Sequence, residues 1–582
     1  MSELILPEGS KRQRKPRRQA YAAACLAAEQ DLNEYHSAFA TSEQVAKPPG
    51  RLHQNELPLE PRHWREMQNH QFHAQFTEAA RIEWNALRAK GTFIEQDLPS
   101  EKSKALPLTW VFKYKFDKDG FLDKFKARIC VRGDLQTTEE DKYAATLAAS
   151  SFRALMAITA AYDLEIKQVD AINAFLNSDL DEEVYIKYPP GMERANKVLR
   201  LVKALYGLKR SPRLWYEELT GTLRGLGLNE INGMKCVMAS NDGIVFFYVD
   251  DIMMLYHHSK SKHMNALLDQ LQAKYPLRVM DQANWFLGIR IVRNRQTKQV
   301  WLCQDTYIDK IAAKYHIQGT RVPHTPLPSV KMLPNEEKAT SQETLLYQQI
   351  MGSNNFAATM TRPDIAFSIS NLSQFLQNPS TTHLASARRI IGYLQSTKTY
   401  ALQLTGQLEM NLTVYSDASF ADLVNRRSSQ GCLIALGGNI IDWKASKQKT
   451  VTTSSTEAEL MAIDHAIGWA MQWKRALAHL KQYLAANPEP INLSPDIKVF
   501  CDNTQTIRLL TQSINELDTK LRHVDIRNCW VREKVQQREV TITWVPTVQM
   551  KADGLTKALS GDKHEAFIKA LNIQRIEVDT TE

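Results

Sequence analysis

Long apolar runs are missing from these 582 residues. No window approaches the roughly 18 consecutive apolar side chains of a membrane-spanning helix, so the sequence offers no such helix. The first residues, MSELILPEGSKRQRKPRR, have no apolar core ahead of their charges, which argues against a secretory leader. An intracellular protein is expected, in a cytoplasmic particle or the nucleus and not secreted. Cysteine is sparse: Cys25, Cys130, Cys236, Cys303, Cys432, Cys501 and Cys529 are odd in number, far apart and form no CxxC pair. That pattern favours neither a disulfide framework nor a zinc site. No internal repeat is visible, which excludes a solenoid. Charge of one sign is also lacking, with 73 basic against 64 acidic residues and a net +9, a mild bias toward polyanions. What is present is ordinary globular composition, 43% hydrophobic and 24% charged, and a length that implies about three to five domains.

The chain changes character along its length. Residues 1–62 read as a disordered linker, because KRQRKPRR (Lys11 to Arg18) and Pro48, Pro49, Pro58 and Pro61 leave little apolar surface to bury. Phe72, Phe76, Ala79, Ala80, Trp84 and Leu87 then recur at helical spacing up to Lys90-Gly91. Two β-rich runs meet at Asp119-Gly120, a strong hairpin signal. A second hairpin is less usual: IVFFYV (Ile244 to Val249) and IMMLY (Ile252 to Tyr256) flank Asp250-Asp251. Adjacent carboxylates at an apolar tip repel each other, and a divalent cation is the natural compensation. A helix-rich middle follows, roughly Thr344 to Thr397. Strands at Leu412, Gly431–Leu436 and Ile440–Trp443, a helix from about Glu457 to Leu480, and a strand Ile497–Cys501 then predict a mixed α/β domain.

Two acidic sets stand out. Asp170, ending LEIKQVD, would alone read as a turn residue after a strand. With Asp250 and Asp251 it supplies the hard oxygen ligands that a two-metal phosphoryl-transfer site requires. The second set is Asp417, Glu459, Asp502 and Asp553. Asp502 also suits an N-cap, and Asp553 a loop before a last helix. Ile463, Ala466, Ile467 and Ala470 share the face of Glu459, whereas Glu457 aligns with Met461, Asp464 and Gly468, so Glu459 is expected to point at the sheet. Thr456 and Glu459 alternatively fit a capping box.

The box YVDD (Tyr248 to Asp251) resembles the catalytic box of reverse transcriptases. Around it KARICVRGDLQ, QVDAINAFL, LYGLKRSPRLW, FLGIRI and TRPDIAFSISNLSQF are similar, in order, to the Ty1/copia retrotransposon polymerases. YSDASFAD, SSTEAELMAI, VFCDN, LRHVDIR and WVPTVQMKADGLTK resemble the ribonuclease H of the same elements. The resemblance implies an α/β and α+β multidomain chain: a right-hand polymerase of fingers, palm and thumb over 63–325, a helical connection over 326–410, an RNase H-like domain over 411–562 and a tail over 563–582.

Roles follow from the same likeness. Asp170, Asp250 and Asp251 would hold two Mg²⁺ ions, with Mn²⁺ as an alternative, for nucleotidyl transfer. Asp417, Glu459, Asp502 and Asp553 would hold two more for cleavage of RNA in an RNA–DNA hybrid. Lys126 and Arg128 would contact the dNTP triphosphate, and Phe175 would exclude the ribose 2′-hydroxyl, although core packing is its plainer reading. Gly207 and Gly288 would lie against template and primer. RNA template, DNA primer, hybrid and dNTPs are the implied partners, with no membrane; association with further copies or with other proteins of the element is left open. Cellular ribonucleases H often carry a histidine before the last aspartate. Trp544 to Asp553 has none, and His523 is a candidate substitute. Asp141 to Ala148 and Arg210 depart from the family pattern. They motivate the rival expectation of a degenerate or domesticated copy that binds nucleic acid without catalysis.

Overall fold

A computed structural model describes residues 50–53, 56–97, 105–116, 120–136, 144–280, 282–317, 323–407, 409–484, 496–511 and 525–577, with backbone alone for 525–528. The basic run Lys11–Arg18, Asp119, Asp141 and His523 lie outside these residues. The chain divides into two compact units. One comprises residues 50–287 with 475–484, the other 288–474 with 496–576. The boundary between the units at Leu287/Gly288 falls within the span 63–325 expected for fingers, palm and thumb.

In the first unit, helix α1 (His73–Ala89) buries Phe76, Ala79, Ala80, Trp84 and Leu87, the stripe read from the sequence. It packs on a two-stranded hairpin, β1 (Leu108–Phe116) and β2 (Leu122–Val131), whose inner side chains include Trp110, Phe112, Phe125 and Ile129. The described residues before 63 are not free chain, which corrects the linker expectation. Glu60 accepts from Tyr114 N at 2.8 Å and Lys113 Nζ at 2.9 Å, and Leu122 N donates to Leu52 O at 2.8 Å. A two-stranded hairpin leaves edge groups unpaired, and this segment satisfies some of them.

Helix α2 (Ala149–Ala161) buries every residue from Ser151 to Ala161, Arg153 among them. A six-stranded antiparallel sheet holds β3 (Glu165–Ala171), β4 (Asn229–Ile231), β5 (Met234–Ser240), β6 (Gly243–Tyr248), β7 (Asp251–Tyr256) and β8 (Leu277–Val279), in the order β8-β3-β7-β6-β5-β4. Between β3 and β4 runs α3 (Ser211–Gly225), begun by a proline in its first turn, where the missing N–H costs nothing.

In the second unit, β9 (Ile289–Asn294), β10 (Gln299–Cys303), β11 (Tyr400–Thr405) and the last strand, Ile573–Arg575, are successive antiparallel neighbours. Helices α4 (Ser341–Met360) and α5 (Thr381–Ser396) start on capping boxes at Thr340/Glu343 and Ser380/His383, which satisfy their first N–H groups. A second sheet contains β12 (Leu412–Ser419), β13 (Ser429–Leu436), β14 (Asn439–Lys447), β15 (Ile497–Cys501) and β16 (Val540–Trp544), in the order β14-β13-β12-β15-β16. There β12/β15 and β15/β16 are parallel and the other pairs antiparallel. Helix α6 (Ser455–Leu484) follows β14. The expected C-terminal tail is instead helix α7 (Gly561–Ala570), with His564, Phe567 and Ile568 buried, and the strand Ile573–Arg575, whose Ile573 lies opposite Leu402. A fully buried network joins this helix to α5: Arg362 donates twice to Asp364, Tyr393 Oη donates to Asp364 at 2.7 Å and meets His564 Nε2 at 2.9 Å.

Candidate active sites

The first site forms where β3 lies between β7 and β8. Register sets Asp170 directly opposite Asp251. The connection between β6 and β7 is Val249-Asp250, one residue earlier than the apolar pattern suggested, because Asp251 already pairs with Tyr248. Val249 sits at φ +56, a left-handed conformation that a β-branched residue adopts only against strain of about 1 to 3 kcal/mol. Two bonds hold it there. Trp215 Nε1 donates to Val249 O at 2.6 Å, and Ala171 N donates to Asp250 O at 2.9 Å. The consequence is an Asp250 fixed beside the end of β3, only 6% exposed, with Asp170 at 4%.

Burial, and after it the charge of Asp251, pushes Asp170 up to about 6. Burial, then Asp251 and Asp170, pushes Asp250 up to about 8. Asp170 Oδ2 is buried without a hydrogen-bond donor, a costly state that a cation relieves. These residues fit a bound divalent metal. Opposing them, Lys126 and Arg128 share one face of β2, while Phe125, Ala127 and Ile129 point into the core. Burial, then Arg128, pulls Lys126 down to about 7, against the pull of Glu83, Asp170 and Asp250. Burial works against the charge of Arg128, but Tyr206 and Glu83 outweigh it and raise its pKa.

Phe175 follows a left-handed Asn173 (φ +52) and is 8% exposed. Its ring centroid is 4.7 Å from that of Tyr206, edge to face. Arg128 lies over the same Tyr206 ring at 4.3 Å. Tyr206, which the sequence reading passed over, thus joins Phe175 to Arg128; only its place beside Gly207 could have pointed to it. Gly207, at φ +91, is required by close approach: a Cβ there would come within 2.1 Å of Val131 O, and a Cβ on Gly133 within 1.9 Å of Gly207 O. Gly288, at φ +69, begins the second unit and is not part of this cluster. Of the departures, Leu147 is buried, and Arg210 pairs with Asp181.

The second site lies at the C-terminal ends of the parallel strands β12 and β15. Asp417 is on β12, Asp502 follows β15, and Glu459 comes from the first turns of α6. Among the described residues these three are the acidic group whose ligand oxygens all lie within 4.8 Å of one another. Both early glutamates of α6 are buried, at 5% for Glu457 and 6% for Glu459, and their contacts separate them. Glu457 accepts from Thr453 N and Oγ1 at 2.6 and 2.7 Å, and its own N–H donates to Ser454 Oγ at 3.1 Å. The helix is therefore capped at Ser454, not through Thr456 and Glu459. Glu459 Oε1 accepts from Ala418 N at 3.3 Å, and its Oε2 is buried with no donor.

Burial, then Asp417 and Asp502, pushes Glu459 up to about 9. Burial pushes Asp417 up to about 6, although a hydrogen bond from Thr556 Oγ1 opposes it. Thr547 Oγ1 donates to Asp502 Oδ2 at 2.8 Å. Asp553 stands outside the group of three but adds its charge to Asp417 and forms an ion pair with Lys557. A buried, unpaired carboxylate oxygen among three more acids fits a divalent metal. The threonines that hold these carboxylates were invisible in the sequence, since a hydroxyl in a loop carries no spacing signal.

A family model described as reverse transcriptase (RNA-dependent DNA polymerase) matches residues 91–329. The chain is 33% identical over 531 residues to the retrovirus-related Pol polyprotein from transposon TNT 1-94 of Nicotiana tabacum, taking in 87% of this chain and 38% of that one. It is 32% identical to a putative transposon Ty5-1 protein of Saccharomyces cerevisiae, over 51% of this chain and 99% of that one. A solved foamy viral protease-reverse transcriptase in complex with double-stranded DNA is 15% identical with a TM-score of 0.46, over 93% of this chain and 84% of that one. The chain spans roughly a third of the longer curated relatives, 38% and 32% of their lengths.

Proposed function

Because the chain belongs to the copia-type reverse transcriptases, we propose that it is an RNA-directed DNA polymerase joined to a ribonuclease H, each working by two-metal phosphoryl transfer. The observation that carries the reading is the register that sets Asp170 opposite Asp251 with Asp250 bonded to Ala171. The charges of the three carboxylates act on one another and on Lys126 and Arg128, although among the described residues only Asp417, Glu459 and Asp502 have ligand oxygens all within 4.8 Å of one another. When bound, the divalent ions (Mg²⁺, or Mn²⁺ in its place) activate a hydroxyl or water and stabilise the departing oxygen. Asp170, Asp250 and Asp251 would hold them in the first site, and Asp417, Glu459, Asp502 and Asp553 in the second.

The remaining work belongs to the chain itself. Lys126 and Arg128 receive the triphosphate of an incoming dNTP, and a lysine held near pH 7 by burial can also give a proton to the leaving pyrophosphate. Phe175, braced by Tyr206, occupies the volume next to the sugar and turns away a 2′-hydroxyl. Gly207, whose Cα is packed against Val131, and Gly288 are assigned to template and primer by the likeness to the family alone. In the second site Thr556, Thr547 and the Ala418 N–H hold carboxylate oxygens in place before the RNA strand arrives. Template RNA, primer DNA and their hybrid are the macromolecular partners, in an intracellular setting; among the described residues no helix is long and apolar enough to cross a membrane. The test is incorporation of dNTPs on a primed RNA template with Mg²⁺, followed by release of fragments from the labelled RNA. Folded protein that binds the hybrid but does neither supports the rival reading of a non-catalytic remnant.

A further inference from the structure

Lys557 has no part in the chemistry described so far, yet it sits in the second acidic cluster. It forms an i,i+4 ion pair with Asp553, and its side chain remains 47% exposed. The hydroxyl of the preceding residue, Thr556, has two acceptors within reach of its single proton, Asp417 Oδ2 and, at 3.0 Å, Asp553 O. The turn that carries Lys557 is thereby tied to two of the four acids. With all four ionised, as metal binding requires, their formal charge is −4, more than one lysine can balance, and Glu459 Oε2 has no donor. Two divalent ions would balance it fully and leave the ammonium in excess.

We infer that Lys557 is a place-holding cation: it partly neutralises the acidic cluster when metal is absent, and a divalent ion must displace it from Asp553 to complete the site. The inference rests on the proposed metal-dependent nuclease reading and adds a residue that sets how tightly metal is held. Burial works against the charge on Lys557, while Asp553, Asp417 and Asp502 outweigh it, which agrees with a cation stabilised by several carboxylates. Once displaced, the half-exposed side chain is free to turn to the nearest anion, a phosphate of the bound RNA strand.

The experiment titrates Mn²⁺ alone into the full chain and follows free Mn²⁺ by electron paramagnetic resonance. Wild type, Lys557→Gln, Lys557→Arg and Asp502→Asn are compared, and the binding lost in Asp502→Asn is assigned to this site. Removing a unit positive charge in direct contact with a ligand carboxylate should tighten the weaker Asp502-dependent binding by at least about tenfold, with Lys557→Arg close to wild type. A melting series supplies a second readout. Lys557→Gln should melt lower than wild type in EDTA and gain more from saturating Mn²⁺. Unchanged or weaker Mn²⁺ binding in Lys557→Gln overturns the inference while leaving the nuclease reading intact. No Asp502-dependent binding in any variant overturns the metal reading itself, and this inference with it.

Discussion

The two acidic clusters are built in opposite ways. Around Asp250 the carboxylates are gathered by sheet register and by a turn held against its own backbone preference, with Asp170 Oδ2 left without a donor. Around Asp502 they are gathered by hydrogen bonds, since Asp417, Glu459 and Asp502 each accept from a threonine or a backbone N–H. The cations differ as well. Lys126 and Arg128 come from a separate hairpin and oppose the first cluster across the site, whereas Lys557 stands inside the second. The first cluster thus faces cations carried by another element, whereas the second holds its ligand oxygens by hydrogen bonds with a cation alongside.

Removing one carboxylate from each site has the largest expected effect. Asp250→Asn is expected to lower DNA synthesis by roughly three orders of magnitude or more while hybrid cleavage persists, and Asp502→Asn to do the reverse. Separate primer-extension and hybrid-cleavage assays check this, and loss of both activities in either folded variant would merge the sites. Next in size is Phe175→Ala. As a sugar gate it should lose discrimination in kcat/KM between dNTP and rNTP by about tenfold or more. As core packing alone it should cost roughly 3 to 5 kcal/mol of stability with the ratio unchanged, so the ratio and the melting temperature are measured on one preparation.

Smaller again, Trp215→Phe keeps the buried ring but removes the N–H that holds Val249 O. It should cost on the order of 1 to 2 kcal/mol and slow synthesis while leaving cleavage at wild-type rate. The smallest effect concerns His564. Burial holds its pKa below the ordinary histidine value, so the neutral form favours the fold. That contribution is complete above about pH 6.5 and is lost as the pH falls from there through the folded value. Melting in EDTA should therefore fall between pH 6.5 and 5 in wild type, and His564→Gln should flatten that slope.

Much of this was legible in the sequence, and for identifiable reasons. The stripe from Phe76 to Leu87 and the strand Ile497–Cys501 follow from periodicity alone, but periodicity did not separate Glu459 from Glu457, since both are buried and only their contacts differ. The turn at Val249-Asp250 did not, because a bond from Trp215, 34 positions away, overrides the local preference of valine. The cap at Ser454 was masked by a serine- and threonine-rich run in which several residues could serve. The last strand, Ile573–Arg575, was read as tail because three residues carry too little pattern to reveal a partner as distant as Leu402. Tyr206, Thr547 and Thr556 act through contacts between separate segments, which no spacing rule reports, whereas the i,i+4 pair of Lys557 with Asp553 was within reach of one.

Gly133 and Gly207 leave a trace of another kind. Each lacks a side chain because the same two backbone segments cross there, one leaving β2 and the other carrying Tyr206. A methyl group on either would wedge the segments apart, and no compensating change at the other can make room, since both are already at the minimum size. The crossing is therefore a keyhole with no spare clearance: Gly133→Ala or Gly207→Ala alone would force the segment that carries Tyr206 away from the end of β2.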